Sequence, residues 1–468
     1  MEWFTAPEYW FSRLVLERGI AGVYLIAFLC AARQFRALLG EHGMLPIPRY
    51  LSAVSFLHAP SIFHWHYSDR FFAAVAWLGA ALSAALVAGA GDFVPLWAAM
   101  LGWLLLWVLY LSIVNVGQRW YAFGWESLLL EAGFLAVFLG NDSVAPPVLV
   151  IWLARWLVFR TEFGAGLIKL RGDRCWRDLT CLYYHHETQP MPGPLSWFFH
   201  HLPKPLHRVE VAVNHVTQLV IPFGLFAPQP VATVAGAIVV VTQLWLVISG
   251  NYAWLNWLTM VLAFSAIAGP VSASSAPAAP PTWFVVLVIA FSALVVVLSY
   301  WPARNLLSSQ QRMNASFDPL HLVNTYGAFG SIGRIRREVV IEGTAEPEIT
   351  DETVWQEYEF KGKPGAVGRL PRQWAPYHLR LDWMLWFAAI SPTYGRQWFV
   401  GLLEHLLQND PATLKLLRHN PFPDSPPRYV RARLFQYRYS TWRELRQNHV
   451  WWQRVADCEY FPPVALPD

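Results

Sequence analysis

Charge is scarce in this sequence. Asp, Glu, Lys and Arg make up 14% of 468 residues, against roughly 25% in an average soluble domain. The deficit excludes water as the solvent for much of the chain. Four cysteines are too few for a disulfide-built scaffold. Basic runs are missing, and a net charge of +4 spread along the chain excludes a nucleic-acid partner. There is no phosphate loop, no GxSxG elbow and no HExxH pair. The GxxGxxG spacing of NTYGAFGSIGRIRR does not lead a strand into a helix, so it is not a dinucleotide fingerprint. The opening MEWFTAPEYWFSRLVLERGI lacks the basic region and cleavage site of a signal peptide, and the first apolar helix is expected to stay as an anchor. No KDEL-type ending or CaaX box closes the chain.

Apolar residues fill the space that charge leaves. They make up 55% of the chain, and Trp, suited to membrane interfaces, occurs 26 times. A bilayer-spanning helix needs about 20 mostly apolar residues. Hydropathy predicts about nine, near Leu14–Phe35, Phe71–Ala90, Phe93–Val114, Phe123–Leu139, Val144–Leu167, Val209–Phe226, Val231–Ile248, Trp254–Ala268 and Trp283–Trp301. SASSAPAAPP (Ser272–Pro281) reads as a small-residue connector. An odd span count places the termini on opposite sides. The positive-inside count conflicts with an outward C-terminal region, because Arg49, Arg119, Lys169, Arg171, Arg174, Arg177 and Lys204 fall on its side.

After Trp301 the character changes, which predicts a membrane domain over 1–301 and an extramembrane α+β domain over 302–468. RREVVIEGT, TVWQEYEFKG and RYVRARLFQYRY read as strands, the last alternating two faces at period 2. PYHLRLDWMLWFAAI and GRQWFVGLLEHLLQ read as amphipathic helices and DPATLKLLRHNP as a short capped one. The connection NASFDPLHLVNTYGAFGS is expected to run along the membrane surface and tie the two regions together.

Between two long apolar segments, Arg160–His215 gathers the chain's polar chemistry, with a polar loop over 168–208. Polar groups beside lipid are costly without partners, so such a cluster predicts a site or a well-paired dock. Lys169, at the mouth of a span, reads either as a base activated by desolvation and the cations Arg171, Arg174 and Arg177, opposed by Asp173 and Asp178, or as a boundary lysine that snorkels or pairs with Asp173. Trp176, His185, His186 and Glu187 complete the candidate polar site. Cys175 and Cys181 read as a small-loop disulfide, as packed thiols, or as a thiol-exchange pair. No metal site is expected: His185 and His186 are adjacent, and adjacent histidines rarely share one ion. The other membrane-end histidines, among them His200, His201, His207 and His215, read first as interfacial hydrogen-bonding groups. Glu126 and Glu131 lie in an apolar span; each reads as a functional carboxylate or as a buried hydrogen-bonding group that fixes helix packing. Asn251 and Asn256 read as interhelical hydrogen-bond partners.

The stretch RGDRCWRDLTCLYYHHETQPMPGPLSWFFHH resembles the lipase maturation factor family. The likeness continues through VISGNYAWLNWLTM, NLLSSQQRMNASFDPLHLVNTYGAFGSI, EYEFKGKPG, PYHLRLDWMLWFAA and HNPFPDSPPRYVRARLFQYRY. It implies an integral membrane protein that helps dimeric secreted lipases reach an active fold, and so a folding or chaperone role rather than catalysis. It also implies an endoplasmic-reticulum membrane with the C-terminal region in the lumen. A bacterial inner membrane with that region in the periplasm is the other placement, given the missing retrieval signal. Animal members carry Cys where this chain has Gly362 and Arg372, which fits loss of one disulfide as a unit. FGAGLIKL (Phe163–Leu170) is similar, more faintly, to the base-lysine stretch of vitamin K-dependent γ-carboxylase, which aligns that lysine with Lys169.

The expected fold is therefore a multi-span helical membrane protein with a C-terminal α+β domain, and the expected partners are secreted lipases and membrane lipid. No cofactor is identified, although a bound lipid or lipid-soluble cofactor suits the polar loop. Trp355, Trp374, Trp383, Trp386 and Trp398 are candidates for client contact. The alternatives are a γ-carboxylase-like membrane enzyme using Lys169 as base and a thiol-exchange helper.

Overall fold

A computed structural model describes residues 3–270 and 279–467. Among them, five helices are long and apolar enough to cross a membrane: Pro7–Leu38, Asp69–Val87, Leu96–Val116, Val231–Ser249 and Thr282–Leu307. The count of nine is not confirmed, and the four shortfalls have separate causes. The segment near Phe123–Leu139 forms a helix only over Gly124–Ala136, about 20 Å long at 1.5 Å per residue. A lipid core about 30 Å thick needs more. Helix Val148–Arg171 is long enough, but carries Arg155, Arg160, Glu162, Lys169 and Arg171. Val209–Phe226 splits into helix Lys204–Leu219, which begins among charged residues, and the short helix Ile221–Gly224. Trp254–Ala268 contains only helix Leu255–Ala263 and a 3-10 turn to Ala266. The Ser272–Pro281 connector lies outside the described residues up to Ala278.

Eight strands follow the helical core: β1 (Ala315–Ser316), β2 (Asn324–Thr325), β3 (Arg336–Thr344), β4 (Gln356–Glu357), β5 (Glu359–Phe360), β6 (Leu417–His419), β7 (Tyr429–Tyr439) and β8 (Trp452–Val464). The main sheet is antiparallel in the order β4-β3-β7-β8. RREVVIEGT forms β3 in full, whereas TVWQEYEFKG yields only the short pieces β4 and β5. Most of β7 buries alternate residues, as a half-buried strand does. Helices Arg380–Ile390 and Phe399–Leu407 match the two amphipathic segments. DPATLKLLRHNP divides into the turn-length helix Pro411–Leu414, capped by Asp410, and the edge strand β6.

Buried charges join the two regions. Arg380, on the C-terminal helix, donates to Glu126 Oε1 at 2.7 Å and to the Trp120 carbonyl at 2.6 Å; both charged side chains are fully buried. Its guanidinium lies 3.5 Å from the Tyr121 ring centroid. Tyr110 donates to the same carboxylate. One turn along, Gln34 of the first span donates to the His378 carbonyl at 2.7 Å and accepts the Arg380 N–H at 3.1 Å. Glu131 forms a second bolt. It pairs with Arg160 and accepts the Asn324 N–H at 3.0 Å and the Tyr326 hydroxyl at 2.6 Å, while Arg160 donates to the Asn324 carbonyl at 2.6 Å. Glu126 and Glu131 are thus both buried and paired, each with at least one partner from a distant part of the sequence.

The connection between the regions lies directly on helix Val148–Arg171. A Cβ on Gly164 would sit 2.4 Å from the Tyr326 carbonyl oxygen, and one on Gly172 would sit 2.2 Å from that of Gly330. Only glycine allows backbone this close. Farther out, Arg336 of β3 donates to the carbonyls of Glu187, Gln189 and Pro190, while pairing with Glu338. Asn251 donates to the carbonyls of Pro192 and Arg372 and accepts the N–H groups of Trp374 and Ala375.

Breaking a buried pair by removing one partner costs roughly 3–5 kcal/mol, because the other charge is left uncompensated. Arg380→Ala should therefore lower the melting temperature in detergent and open the C-terminal region to limited proteolysis. Glu126→Gln combined with Arg380→Gln, which leaves no lone charge, should be milder than Arg380→Ala alone.

Candidate functional site

Where the polar loop meets helix Val148–Arg171 and the C-terminal region, a cavity of about 1270 Å³ opens. Its lining mixes aromatic residues, Trp176, Trp245, Tyr252, Phe329, Trp383, Trp386 and Phe387, with the polar residues Glu162, Lys169, Asn214, Gln218, Gln243 and Asn256. The volume exceeds the usual range for a small-molecule pocket, roughly 300–1,000 Å³.

Lys169 lines the cavity, buried, and donates to Asn214 Oδ1 and Gln218 Oε1 at 2.9 Å each. Its ammonium lies 4.9 Å from the Trp176 ring. It neither snorkels nor pairs with Asp173. Asp173 caps the short helix Arg174–Arg177 by accepting the Cys175 N–H at 3.0 Å, and pairs with Arg334 at 2.9 Å. Burial pushes the Asp173 carboxyl up, but Arg334 and the Cys175 N–H outweigh it and hold the group below the ordinary carboxylate range. Arg171, Arg174 and Arg177 are exposed; Arg174 pairs with Asp178 at 3.1 Å and Arg171 donates to Gln311 and the Leu306 carbonyl. Of the cations read as activating Lys169, Arg171 and Arg174 are therefore engaged elsewhere and Arg177 points to the exposed surface. Next to Lys169 run Asn256, Gln243 and Glu162: Asn256 donates to Gln243 at 2.6 Å, and Gln243 donates to Glu162.

The remaining predicted residues divide among different tasks. Trp176 donates to the Phe329 carbonyl at 2.8 Å, and Cys175 and Cys181 are joined in a disulfide. Glu187 accepts the Tyr439 N–H at 2.6 Å and so ties the loop to β7; burial pushes its carboxyl up from the ordinary range. His185 reaches the Tyr252 hydroxyl at 3.0 Å, and burial, with His186 beside it, pulls its imidazole down to about 3. His186 turns the other way, toward His207 and Glu210. Trp383 and Trp398 are 3% and 0% exposed and belong to the core, as Trp at helical spacing commonly does; Trp355, Trp374 and Trp386 remain half-buried. Gly362 and Arg372 line one small crevice.

Several residues of the site escaped the sequence reading. Glu162, Gln218 and Gln243 are polar residues within apolar helices, the same signal that singled out Glu126 and Glu131. Asn214 and Glu210 lie on helix Lys204–Leu219, in the segment Val209–Phe226 read as a membrane span. Arg380 lay in a segment recognised only as amphipathic.

The chain matches two family profiles. "Lipase maturation factor transmembrane domain" covers residues 11–273 and "Lipase maturation factor C-terminal domain" covers 322–462. It is 42% identical to Lipase maturation factor 1 of Bos taurus, over 99% of this chain and 90% of that protein. Against Lipase maturation factor 1 of Homo sapiens the identity is 39%, over 98% and 89%. Against Lipase maturation factor 2 of Mus musculus it is 29%, over 96% and 82%. No solved structure matches the chain.

The Cys175–Cys181 link closes a loop of only a few residues, so its stabilising effect should be about 2 kcal/mol on the loop-entropy scale. The double variant Cys175→Ser with Cys181→Ser should melt a few degrees lower. Intact-mass measurement after alkylation should show both thiols protected in the wild type.

Proposed function

The chain belongs to the lipase maturation factor family, and from that premise we propose that it is an integral membrane factor that brings secreted lipases to their active form. The observation that carries this is similarity over nearly the whole length, through both regions, to proteins named for that role. The role is chaperone-like: it holds a client during folding or assembly and releases it. We place the division between membrane and client-facing regions near residue 301, with residues 302–468 on the lumenal side of the endoplasmic reticulum or, in a bacterium, the periplasmic side.

The cavity supports a holding role. Its aromatic residues suit an apolar segment of an unfinished client or a lipid chain, and the amide and carboxylate groups among them can bond a peptide or headgroup. Exposed apolar residues stand on its rim, among them Ile390 at 57% and Val213 at 51%. The Lys169-base and thiol-exchange alternatives are not favoured. The relatives are named as maturation factors, Lys169 is engaged by two neutral amides, and the two cysteines are joined to each other.

The test is co-expression with a secreted dimeric lipase in cells lacking their own factor. Ile390→Asp with Val213→Asp places charge on the rim without touching the core. Lipase activity per molecule should fall severalfold while the variant melts like the wild type. Undiminished lipase activity removes the cavity from the mechanism. Undiminished activity in cells without the protein removes the maturation role itself.

A further inference from the structure

Three ligand-type side chains converge beside the cavity in a place that the domain dock does not use. His186, from helix Leu182–Thr188, faces His207 and Glu210, three residues apart on helix Lys204–Leu219. His186 Nε2 lies 3.9 Å from Glu210 Oε2, and His207 Nδ1 lies 3.8 Å from the same oxygen. One ligand atom from each of the three residues falls within 4.8 Å of the others. These separations are too long for hydrogen bonds. They are slightly wider than the roughly 3.3 Å between ligand atoms of a tetrahedral zinc ion with bonds of about 2.0–2.1 Å.

The two imidazoles are each 1% exposed. Among the described residues, no hydrogen-bond partner reaches either ring nitrogen of His186 or Nδ1 of His207. Buried polar nitrogens are rarely left unmatched in a native protein. Their neighbours orient them for a shared ligand. His207 Nε2 lies 3.3 Å from the His200 carbonyl oxygen, a contact that places the proton on Nε2 and leaves the Nδ1 lone pair facing Glu210. Glu210 Oε1 accepts the Trp245 indole N–H at 2.7 Å, which aims Oε2 at the two rings. Outer hydrogen bonds of this kind fix metal-ligating histidines and carboxylates.

We propose that His186, His207 and Glu210 bind one divalent transition-metal ion, zinc by the character of the donors, with water in the fourth position. Two imidazoles and a carboxylate suit zinc; magnesium and calcium take oxygen donors. The ion clamps helix Leu182–Thr188 to helix Lys204–Leu219 and so braces the polar loop beside the Cys175–Cys181 disulfide, which packs against Val211. No sequence spacing announces the set, since its first member stands 21 positions before the second.

The test uses full-length protein in detergent with no histidine tag, stripped with EDTA and titrated with zinc sulfate. The wild type should retain one zinc ion per chain by elemental analysis and melt higher with zinc than in EDTA. Cobalt(II) in its place should give the visible absorption of a four-coordinate nitrogen–oxygen site. Glu210→Gln, which preserves shape and can keep the Trp245 contact, and His207→Ala should each weaken zinc binding more than about tenfold and abolish the cobalt spectrum. Wild-type protein that takes up no stoichiometric zinc overturns the proposal, whether or not the variants fold. So does unchanged zinc affinity in both folded variants.

Discussion

Everything else in this molecule depends on the pairing of charges that lipid and protein interior would otherwise reject. Glu126 and Glu131 lie in a short helix among long apolar ones, where an unpaired carboxylate is expensive. Arg160 answers one from within the helical core, and Arg380 answers the other from a position 254 residues further along the chain. Neither charge can be removed cheaply, and neither finds its full set of partners until the C-terminal region has docked. The Asn324–Tyr326 segment and the Arg380 helix are held where they are for that reason. The C-terminal region is thus part of the membrane scaffold rather than an appendage on a tether.

The cavity is a consequence of that dock. Most of its polar lining comes from helices Val148–Arg171, Lys204–Leu219 and Val231–Ser249, and part of its aromatic lining, Trp383, Trp386 and Phe387, comes from the docked helix. Undocking would remove one side of it. A surface that holds a partly folded client must be apolar enough to attract it, yet must not collapse on itself. The buried polar framework supplies the rigidity, and the ties from Asn251 and Arg336 close the seam at its outer edge. Within the same loop, the disulfide and the His186, His207 and Glu210 cluster restrain neighbouring parts of the packing against helix Lys204–Leu219.

Much of this was legible in the sequence, and the limits have physical causes. Hydropathy located the five long spans because apolar length is a local property. Its further spans go unconfirmed where a segment is apolar but short, as at Gly124–Ala136, or long but charged, as at Val148–Arg171. Period-2 alternation found β7, and a β-branched run found β3. Strand β8 was missed because WQRVADCEYFPPV mixes charge, proline and aromatics on a mostly exposed edge. The polar stretch Arg160–His215, read as either a site or a dock, both lines the cavity and carries contacts to the C-terminal region. Pairings were not legible, since they join positions far apart: Asp173 to Arg334 instead of Lys169, Arg380 to Glu126, His186 to His207 and Glu210. Trp398 lies in the core, whereas Trp383 is nearly as buried yet lines the cavity; a ring at helical spacing looks the same in sequence whether it faces core or client.

Native-state hydrogen exchange on the intact protein in detergent addresses the dock itself. If buried charge pairs bind the C-terminal region into the scaffold, amides around Asn324–Tyr326 and along Arg380–Ile390 should exchange together with the first span, at one common and slow rate. Exchange in those two segments much faster than in helix Trp10–Leu38, with that helix still protected, would mean that the region undocks freely and that the pairs do not hold it.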